Sequence, residues 1–345
     1  MTKAIALLSG GLDSTLAILT ALKQGVKVKA IKFRTPFDPE AAFKNSGSYP
    51  LSVAKRFGFD VELFNPGDRF LDIVKNPKHG YGKNMNPCID CRIFMLKEAK
   101  NLMDMTAADF IITGEVLGQR PMSQKRDMLY HIDRESGVSG LVLRPLSAKL
   151  LRITDPENRG IVNREMLYDL RGRSRKPQMA LAREFGLEGY PSPAGGCLLT
   201  EPNYAHRLKD LITFDSAPSI RDIQMLKIGR HFRFSPSCKI VIGRDERENK
   251  LIESLATETA CLLKVEGYGS PSTLITGEIT DDALKTAASL SARYSDAKGL
   301  PLVDVSVFTK GLRYLIEAQP AGDDILKECR IELDRKNADI AQKFI

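Results

Sequence analysis

The sequence predicts an α/β protein, a doubly wound parallel sheet followed by a smaller α+β domain. Three observations predict it. Short apolar runs alternate with helically periodic segments up to about residue 200. A glycine-rich loop, SGGLDS at 9–14, separates the first strand pattern from the first helix pattern. Beyond residue 236 the alternation gives way to strand patterns arranged around two helical stretches. The expected layout is an α/β domain over 1–200, a helical connector over 201–235 and an α+β domain over 236–345.

Taken in order, residues 4–8 form a buried-strand run, and 15–22 (TLAILTAL) a helix stopped by Gly25. Residues 26–33 read as the second strand, 51–57 as a helix ended by Gly58, and 60–64 as the third strand. A loop bearing glycine and proline at 79–87 precedes a helix over 92–103, and 109–113 and 141–146 read as further strands. Residues 155–178 are polar and arginine-rich, and 190–196 (YPSPAGG) look like an irregular functional loop. The C-terminal part reads as strand KIVIG, helix ENKLIESLA, strands CLLKVEG and STLITG, helix ALKTAASLSARY and strand LVDVSVF.

A chain of 345 residues is long enough for two cores. Its 43% hydrophobic and 27% charged residues fit an ordinary soluble protein, and no apolar run reaches membrane-spanning length. The net charge of +8 points to a polyanionic partner such as nucleic acid. Six cysteines with no export signal argue for a reducing, cytoplasmic setting. Cys238, Cys261 and Cys329 read as buried hydrophobes, and the four histidines show no ligand spacing.

The loop at 9–14 delivers a strand end to a helix N-terminus, where unpaired N–H groups and the helix dipole attract anions. Gly10 and Gly11 admit an anion closely, Ser9 and Ser14 add hydroxyls, and Asp13 can orient the loop or meet a metal. The loop lacks a Walker ending and the GxGxxG spacing. It resembles the signature of the PP-loop ATP pyrophosphatases, of the adenine nucleotide alpha hydrolase-like fold. That resemblance implies ATP with Mg²⁺, cleaved between its α- and β-phosphates, with AMP passed to a carbonyl oxygen. Phe33, ending the second strand, is counted with the ATP residues, and Asp13 also as catalytic.

ITGEVLGQRPMSQ at 112–124 follows a strand and is expected to open onto a helix with proline near its first turn. It resembles the matching segment of the tRNA 4-thiouridine synthases. It would add Gly114, Gln119, Arg120 and Ser123 to the triphosphate site, the arginine stabilising the leaving pyrophosphate. NPCIDC at 86–91 resembles the Asn-Pro-Asp-x-x-Cys segment of the tRNA 2-thiouridylases, with Cys88 in place of the aspartate. Cys91 falls on that family's first cysteine and Cys197 on its second. Three cysteines resemble the set that holds a 4Fe–4S cluster in related thiolation enzymes. A persulfide route, a redox dithiol and zinc stay open beside it.

GRDERENK, GYGSPS and ARYSDAKG, within about 236–310, resemble the RNA-binding domain of the NFACT family. The resemblance makes Arg244, Asn249, Lys250, Ser270, Ser272 and Lys298 the expected RNA contacts. Lys125, Arg126 and the run Arg171, Arg173, Arg175 and Lys176 would border the entry of an RNA acceptor. Together the resemblances imply an ATP-dependent tRNA sulfurtransferase that adenylates a uridine carbonyl and replaces its oxygen with sulfur. Its partners would be tRNA and a sulfur donor, sulfide or a persulfide carrier, with no membrane. The resemblance does not extend to the N-terminal RNA-binding region of the 4-thiouridine synthases or the central and barrel domains of the 2-thiouridylases. It therefore leaves the target uridine and the sulfur position open. Two other classes share parts of this pattern: a PP-loop enzyme acting on a small molecule (an amide-forming synthetase or a deazaguanine-nitrile synthase), and a non-catalytic tRNA or ribosome binder.

Overall fold

Five short strands, β1 (Lys3–Leu7), β2 (Lys27–Phe33), β3 (Asp60–Phe64), β4 (Phe110–Ile112) and β5 (Val142–Leu143), form one parallel sheet in the order β3-β2-β1-β4-β5. The computed structural model describes residues 2–38, 49–191, 197–257 and 259–331. The chain divides into two units, Met1–Cys197 and Leu198–Ile345.

In the first unit, helices α1 (Leu12–Leu22), α2 (Tyr49–Phe57), α3 (Asp68–Lys75), α4 (Cys88–Thr106) and α5 (Arg126–Glu135) connect the strands, followed by α6 (Asp155–Asn158) and α7 (Lys176–Glu184). The central strand shows why the sequence reads as an unbroken apolar run. Ala4 and Ala6 belong to a core with Leu12, Leu16 and Leu181, whereas Ile5 and Leu7 belong to another with Ile93, Leu96 and Ala99. Successive side chains leave opposite faces of a strand, so a strand covered by helices on both faces needs apolar residues at every position. Each fully buried leucine contributes about 1.5–3 kcal/mol.

The strand order reverses between β1 and β4, which makes the crevice outside their carboxyl ends the topological switch point. The loops leaving β1 and β4 are the two glycine-bearing segments singled out above. The fold therefore brings residues 9–14 and 113–124 to one place.

The second unit begins with α8 (Pro202–Phe214) and α9 (Ile220–Met225). A six-stranded antiparallel sheet follows, from β6 (Arg230–Ser235), β7 (Cys238–Ile242), β8 (Cys261–Val265), β9 (Thr273–Gly277), β10 (Val303–Thr309) and β11 (Leu312–Ala318), in the order β11-β10-β8-β9-β7-β6. Helix α10 (Glu246–Leu255) precedes β8, α11 (Asp281–Arg293) precedes β10, and α12 (Asp323–Cys329) follows β11. Ile240, Ile242 and Ile275 pack with Ala287, Ala288 and Leu290 of α11, while Val241 and Leu274 pack with Ile252 of α10 and Met225.

The helical connector expected over 201–235 needs correction: residues 230–235 are strand β6, paired with β7. Basic residues at three of its first four positions hid that strand. Phe232 is buried on one side while Arg230, Arg233 and Phe234 stay partly exposed. Strand β11 and helix α12 were absent from the expected order as well; β11 is largely exposed, with Leu312, Tyr314 and Leu315 at the surface, and its apolar residues lack the strict alternation of a half-buried strand. Residues 332–345 of the expected C-terminal domain lie outside the described residues, as do 192–196 of the loop 190–196. Among the described residues no helix is long and apolar enough to cross a membrane.

Candidate nucleotide and sulfur site

The chain turns sharply between Leu7 and Leu12. Gly10 takes a left-handed φ of 88°, and a Cβ there would stand 3.0 Å from the Pro50 ring and 3.3 Å from Lys32 Nζ. Helix α1 starts after Gly11 with no side-chain cap. Its first-turn N–H groups are left to whatever the loop surrounds. Ser14 is buried; its hydroxyl donates to Gly11 O at 3.0 Å and lies 3.0 Å from Ser9 Oγ. Lys32 is the cation that sequence reasoning missed here. Within KVKAIKF it reads as an ordinary strand residue, yet it is buried beside Gly10.

Asp13 ties this loop to the next one. Gln119 Nε2 donates to Asp13 Oδ2 at 3.0 Å. Burial pushes the Asp13 carboxyl above its usual range, while the Gln119 bond and the charges of Arg175 and Arg120 pull it back. Gln178 also faces Asp13, although its amide makes no hydrogen bond of normal geometry. Asp13 Oδ1 is buried and accepts no hydrogen bond among the described residues. A buried carboxylate oxygen without a partner, in the first turn of α1 behind a glycine-rich loop, fits a Mg²⁺ ion or a donor group.

The second loop departs from expectation. The segment after β4 runs through turns, and α5 begins only at Arg126, so Pro121 does not open a helix. Gln124 closes the loop on itself: its carbonyl accepts from Gly118 N at 2.7 Å and its side chain from Arg120 N at 3.0 Å. Ser123 is buried beneath that closure. Gly114 is demanded by close approach, since a Cβ there would overlap the backbone nitrogen of Ser14.

Behind this loop lies an ion network that the sequence did not reveal. Arg144 donates Nη1 and Nη2 to the two Asp133 oxygens at 2.9 and 2.7 Å, and Nε to Glu115 Oε2 at 3.0 Å. Thr113 Oγ1 donates to the same Glu115 oxygen at 3.1 Å. Arg92 Nε stands 3.2 Å from Glu115 Oε1, near enough for ion pairing but outside hydrogen-bond geometry. Glu115 is held ionised below the usual carboxylate range by Arg144 and Arg92 despite its burial. Arg144 sits in the apparent strand LVLRPL, where one arginine in an apolar run was the available signal.

The CxxC was expected in a loop; it occupies the first turn of α4, with Cys88 the first helical residue. Residues three apart on a helix share a face. Burial pushes the Cys91 thiol up to about 12; Arg92 opposes this, and the neighbouring Cys197 and Cys88 reinforce it. Cys88 is raised too, chiefly by burial, against Arg120 and Arg92. Cys91 thus lies within electrostatic reach of Cys88 and Cys197, and Arg120 within reach of Asp13 and the CxxC. Among the described residues no three His, Cys, Asp or Glu side chains are arranged around one metal ion. The donor set has iron–sulfur chemistry, with two guanidiniums to offset thiolate charge, but is not drawn together as a ligand shell.

A histidine pair missed by sequence stands beside this turn. His79 Nδ1 lies 2.8 Å from Asp90 Oδ1, and its Nε2 lies 3.1 Å from His131 Nε2. No sequence spacing links residues 52 positions apart.

The remaining predicted residues scatter. Phe33 joins an aromatic cluster, 5.0 Å from Phe64 and 6.2 Å from Phe94 between centroids. The 171–176 run is pinned to the second loop by the Leu117–Arg171 bridge and a Gly172 N–Leu117 O bond of 2.8 Å. Of that run, Arg175 turns toward Asp13, while Arg171, Arg173 and Lys176 are exposed, as are Lys125 and Arg126.

In the second unit Arg244, Lys250 and Lys298 are exposed. The expected RNA contact at Ser272 needs correction: it is fully buried, and its hydroxyl donates to Glu253. Asn249 accepts from Ser272 N at 2.9 Å and donates toward Ser270 O at 3.4 Å, and Ser270 Oγ accepts from Val265 N at 2.8 Å. These polar residues knit the 265–272 turn to α10.

Residues 1–149 match the family model described as thiamine biosynthesis protein (ThiI), and residues 229–329 that of the NFACT protein RNA binding domain. A probable tRNA sulfurtransferase of Bacillus licheniformis is 31% identical over 149 residues, covering 42% of this chain and 34% of the relative. That of Methanosarcina acetivorans is 30% identical over 125 residues, covering 33% and 28%. The chain thus spans about a third of the length of these curated relatives. A 4-thiouridine synthetase solved with RNA and bound ATP aligns at 22% identity and a TM-score of 0.34, over 54% of this chain and 51% of that one. The U34-tRNA thiolase NcsA of Methanococcus maripaludis, solved with its [4Fe–4S] cluster, aligns at 16% and 0.33, over 65% and 69%. Residues 1–149 are thus similar to a ThiI-type region of tRNA sulfurtransferases, and residues 229–329 to an NFACT-type RNA-binding domain.

Proposed function

We propose that this chain is an ATP-dependent tRNA sulfurtransferase acting on a uridine carbonyl. The observation that carries the reading is a chain of contacts: Gln119 ties the loop after β4 to Asp13 at 3.0 Å, and Arg92, next to the CxxC, stands 3.2 Å from Glu115 of that same loop. A glycine-rich loop at a helix N-terminus linked in this way to a thiol pair suits a reaction that activates with ATP and then delivers sulfur.

In this reading Ser9, Gly10, Gly11, Ser14 and Lys32 hold the phosphates, and Asp13 would hold the accompanying Mg²⁺, which would offset phosphate charge. Gly114 keeps the second loop against the first, and Gln119 holds Asp13 in place. The uridine oxygen attacks the α-phosphorus and pyrophosphate leaves, its charge offset by Arg120. Sulfur then replaces the adenylated oxygen and AMP departs. Cys88, Cys91 and Cys197 handle the sulfur. A 4Fe–4S cluster, when bound, would supply an iron that carries sulfide; a persulfide would instead leave two of the cysteines as a disulfide. The C-terminal domain and the cations at 125–126 and 171–176 hold the tRNA, from which the target base turns outward.

The test uses ATP labelled at the α-phosphate, with tRNA and sulfide. Labelled AMP that forms only with tRNA, and is lost in Asp13→Ala, supports the reading. Labelled ADP refutes it. Iron and acid-labile sulfide measured on anaerobically purified protein separate the cluster from the persulfide.

A further inference from the structure

A second basic site lies wholly within the C-terminal unit. A pocket of about 430 Å³ opens where α8 and the segment after α9 meet β6 and the start of α10, lined among others by Arg207, Lys227, Arg230, Arg244, Arg330 and Glu201. Five cations face one carboxylate. That carboxylate is engaged, since Glu201 caps α8 by accepting from the backbone N–H groups of Asn203 and Tyr204. The guanidiniums are held in place rather than loose. Arg207, 5% exposed, donates to Leu226 O at 2.9 Å. Arg230 donates to Gly243 O at 3.0 Å and stacks 4.4 Å over the Tyr294 ring. Arg244 pairs with Glu248 at the rim.

The field of this cluster reaches the core behind it. Burial drives His231 well below its ordinary value, and Lys239, Arg207 and Arg244 drive it further. Burial also lowers Lys239 to about 8, with Arg233 and Arg207 adding to the fall against Asp210 and Asp222. Fixed donors around a concave, net positive space suit an oxyanion with several acceptor oxygens.

We propose that this pocket binds a phosphate group of an RNA strand, in addition to what the exposed cations of the same domain bind. The proposal rests on the RNA reading above. Lys227 and Arg330 provide the test, because neither is buried.

The full-length Lys227→Gln/Arg330→Gln variant should bind tRNA about tenfold more weakly, the scale of one hydrogen bond to a charged group. The slope of log affinity against log salt should shrink by about 1 for each phosphate no longer neutralised. Lys285→Gln, which removes one cation from α11, should alter neither, and Lys227→Arg should bind as the parent does. Inorganic phosphate and uridine 5′-monophosphate form separate arms. If either displaces tRNA from the parent but not from the double variant, the source is a free phosphate; if neither does, it is the strand. Affinity and slope equal to the parent's, with small-ligand thermal shifts that are the same in parent and double variant, overturn the pocket. If the parent binds no tRNA, the functional reading fails, and a small-ligand thermal shift that the double variant loses alone decides whether the pocket takes phosphate.

Discussion

Gln119 Nε2 donates to Asp13 Oδ2 across 3.0 Å and 106 residues of sequence, closing the loop after β1 against the loop after β4. The bond orients one Asp13 oxygen and leaves the other, Oδ1, buried and without a hydrogen bond among the described residues. An ionised carboxylate held this way costs stability.

Asp13→Asn should therefore separate stability from function. The folded-state carboxyl titrates above its ordinary value of 3.8, so ionising it opposes folding. That cost is absent below the unfolded value and complete above the folded one. At pH 7.5 the variant should melt at or above the parent's temperature, with the gap closing as the pH falls toward 4. AMP formation should drop at least about a hundredfold. A variant that melts lower at neutral pH would contradict the assigned cost.

Gly114→Ala forces a methyl group into the Ser14 backbone nitrogen. Overpacking of this kind costs about 1–3 kcal/mol, and here it parts the two nucleotide loops. Calorimetry should show a lower melting temperature together with weakened ATP binding. Parent-like ATP affinity would mean that the loops need not touch.

Arg144→Met leaves two buried carboxylates without their shared cation. The expected loss is about 3–5 kcal/mol in urea unfolding. Adding Glu115→Gln and Asp133→Asn should recover part of it, since no buried charge then remains unpaired. A single variant within about 0.5 kcal/mol of the parent would show the network to be dispensable.

The metal-free thiols should be sluggish nucleophiles at neutral pH. With Cys91 pushed up to about 12 from an ordinary 9.0, its thiolate fraction at pH 8 is about a thousandfold smaller. Mass spectrometry after iodoacetamide treatment should find Cys91 unmodified at pH 8, Cys88 slowly modified, and both rates rising with pH. Rapid labelling of Cys91 at pH 7 would place its thiol in a more open or more cationic setting.

Much of the nucleotide site was legible because glycines and apolar runs carry their own physics. SGGLDS announces a strand-to-helix turn, and the β3-β2-β1-β4-β5 order then brings 113–124 beside it. Lys32, Arg144, Glu115, His79 and His131 were not legible. Their importance comes from partners far along the chain, and no local periodicity marks a charged residue that will be buried. The start of α4 was misread for a local reason. Proline and cysteine in NPCIDC resemble loop composition, yet Pro87 directly precedes the helix, a place where its missing N–H costs nothing. Strand β6 was taken for helix because Arg230, His231 and Arg233 break the apolar alternation of RHFRFS, which lies next to two real helices.

The central claim is that one site couples ATP activation to sulfur delivery on tRNA. The most direct measurement is mass spectrometry of nucleosides from tRNA incubated with the protein, ATP and sulfide, with AMP quantified in the same reaction. The account predicts a thiouridine formed in proportion to AMP, and lost with Cys91→Ser while ATP binding persists. Sulfur-free tRNA alongside tRNA-independent AMP formation would contradict it.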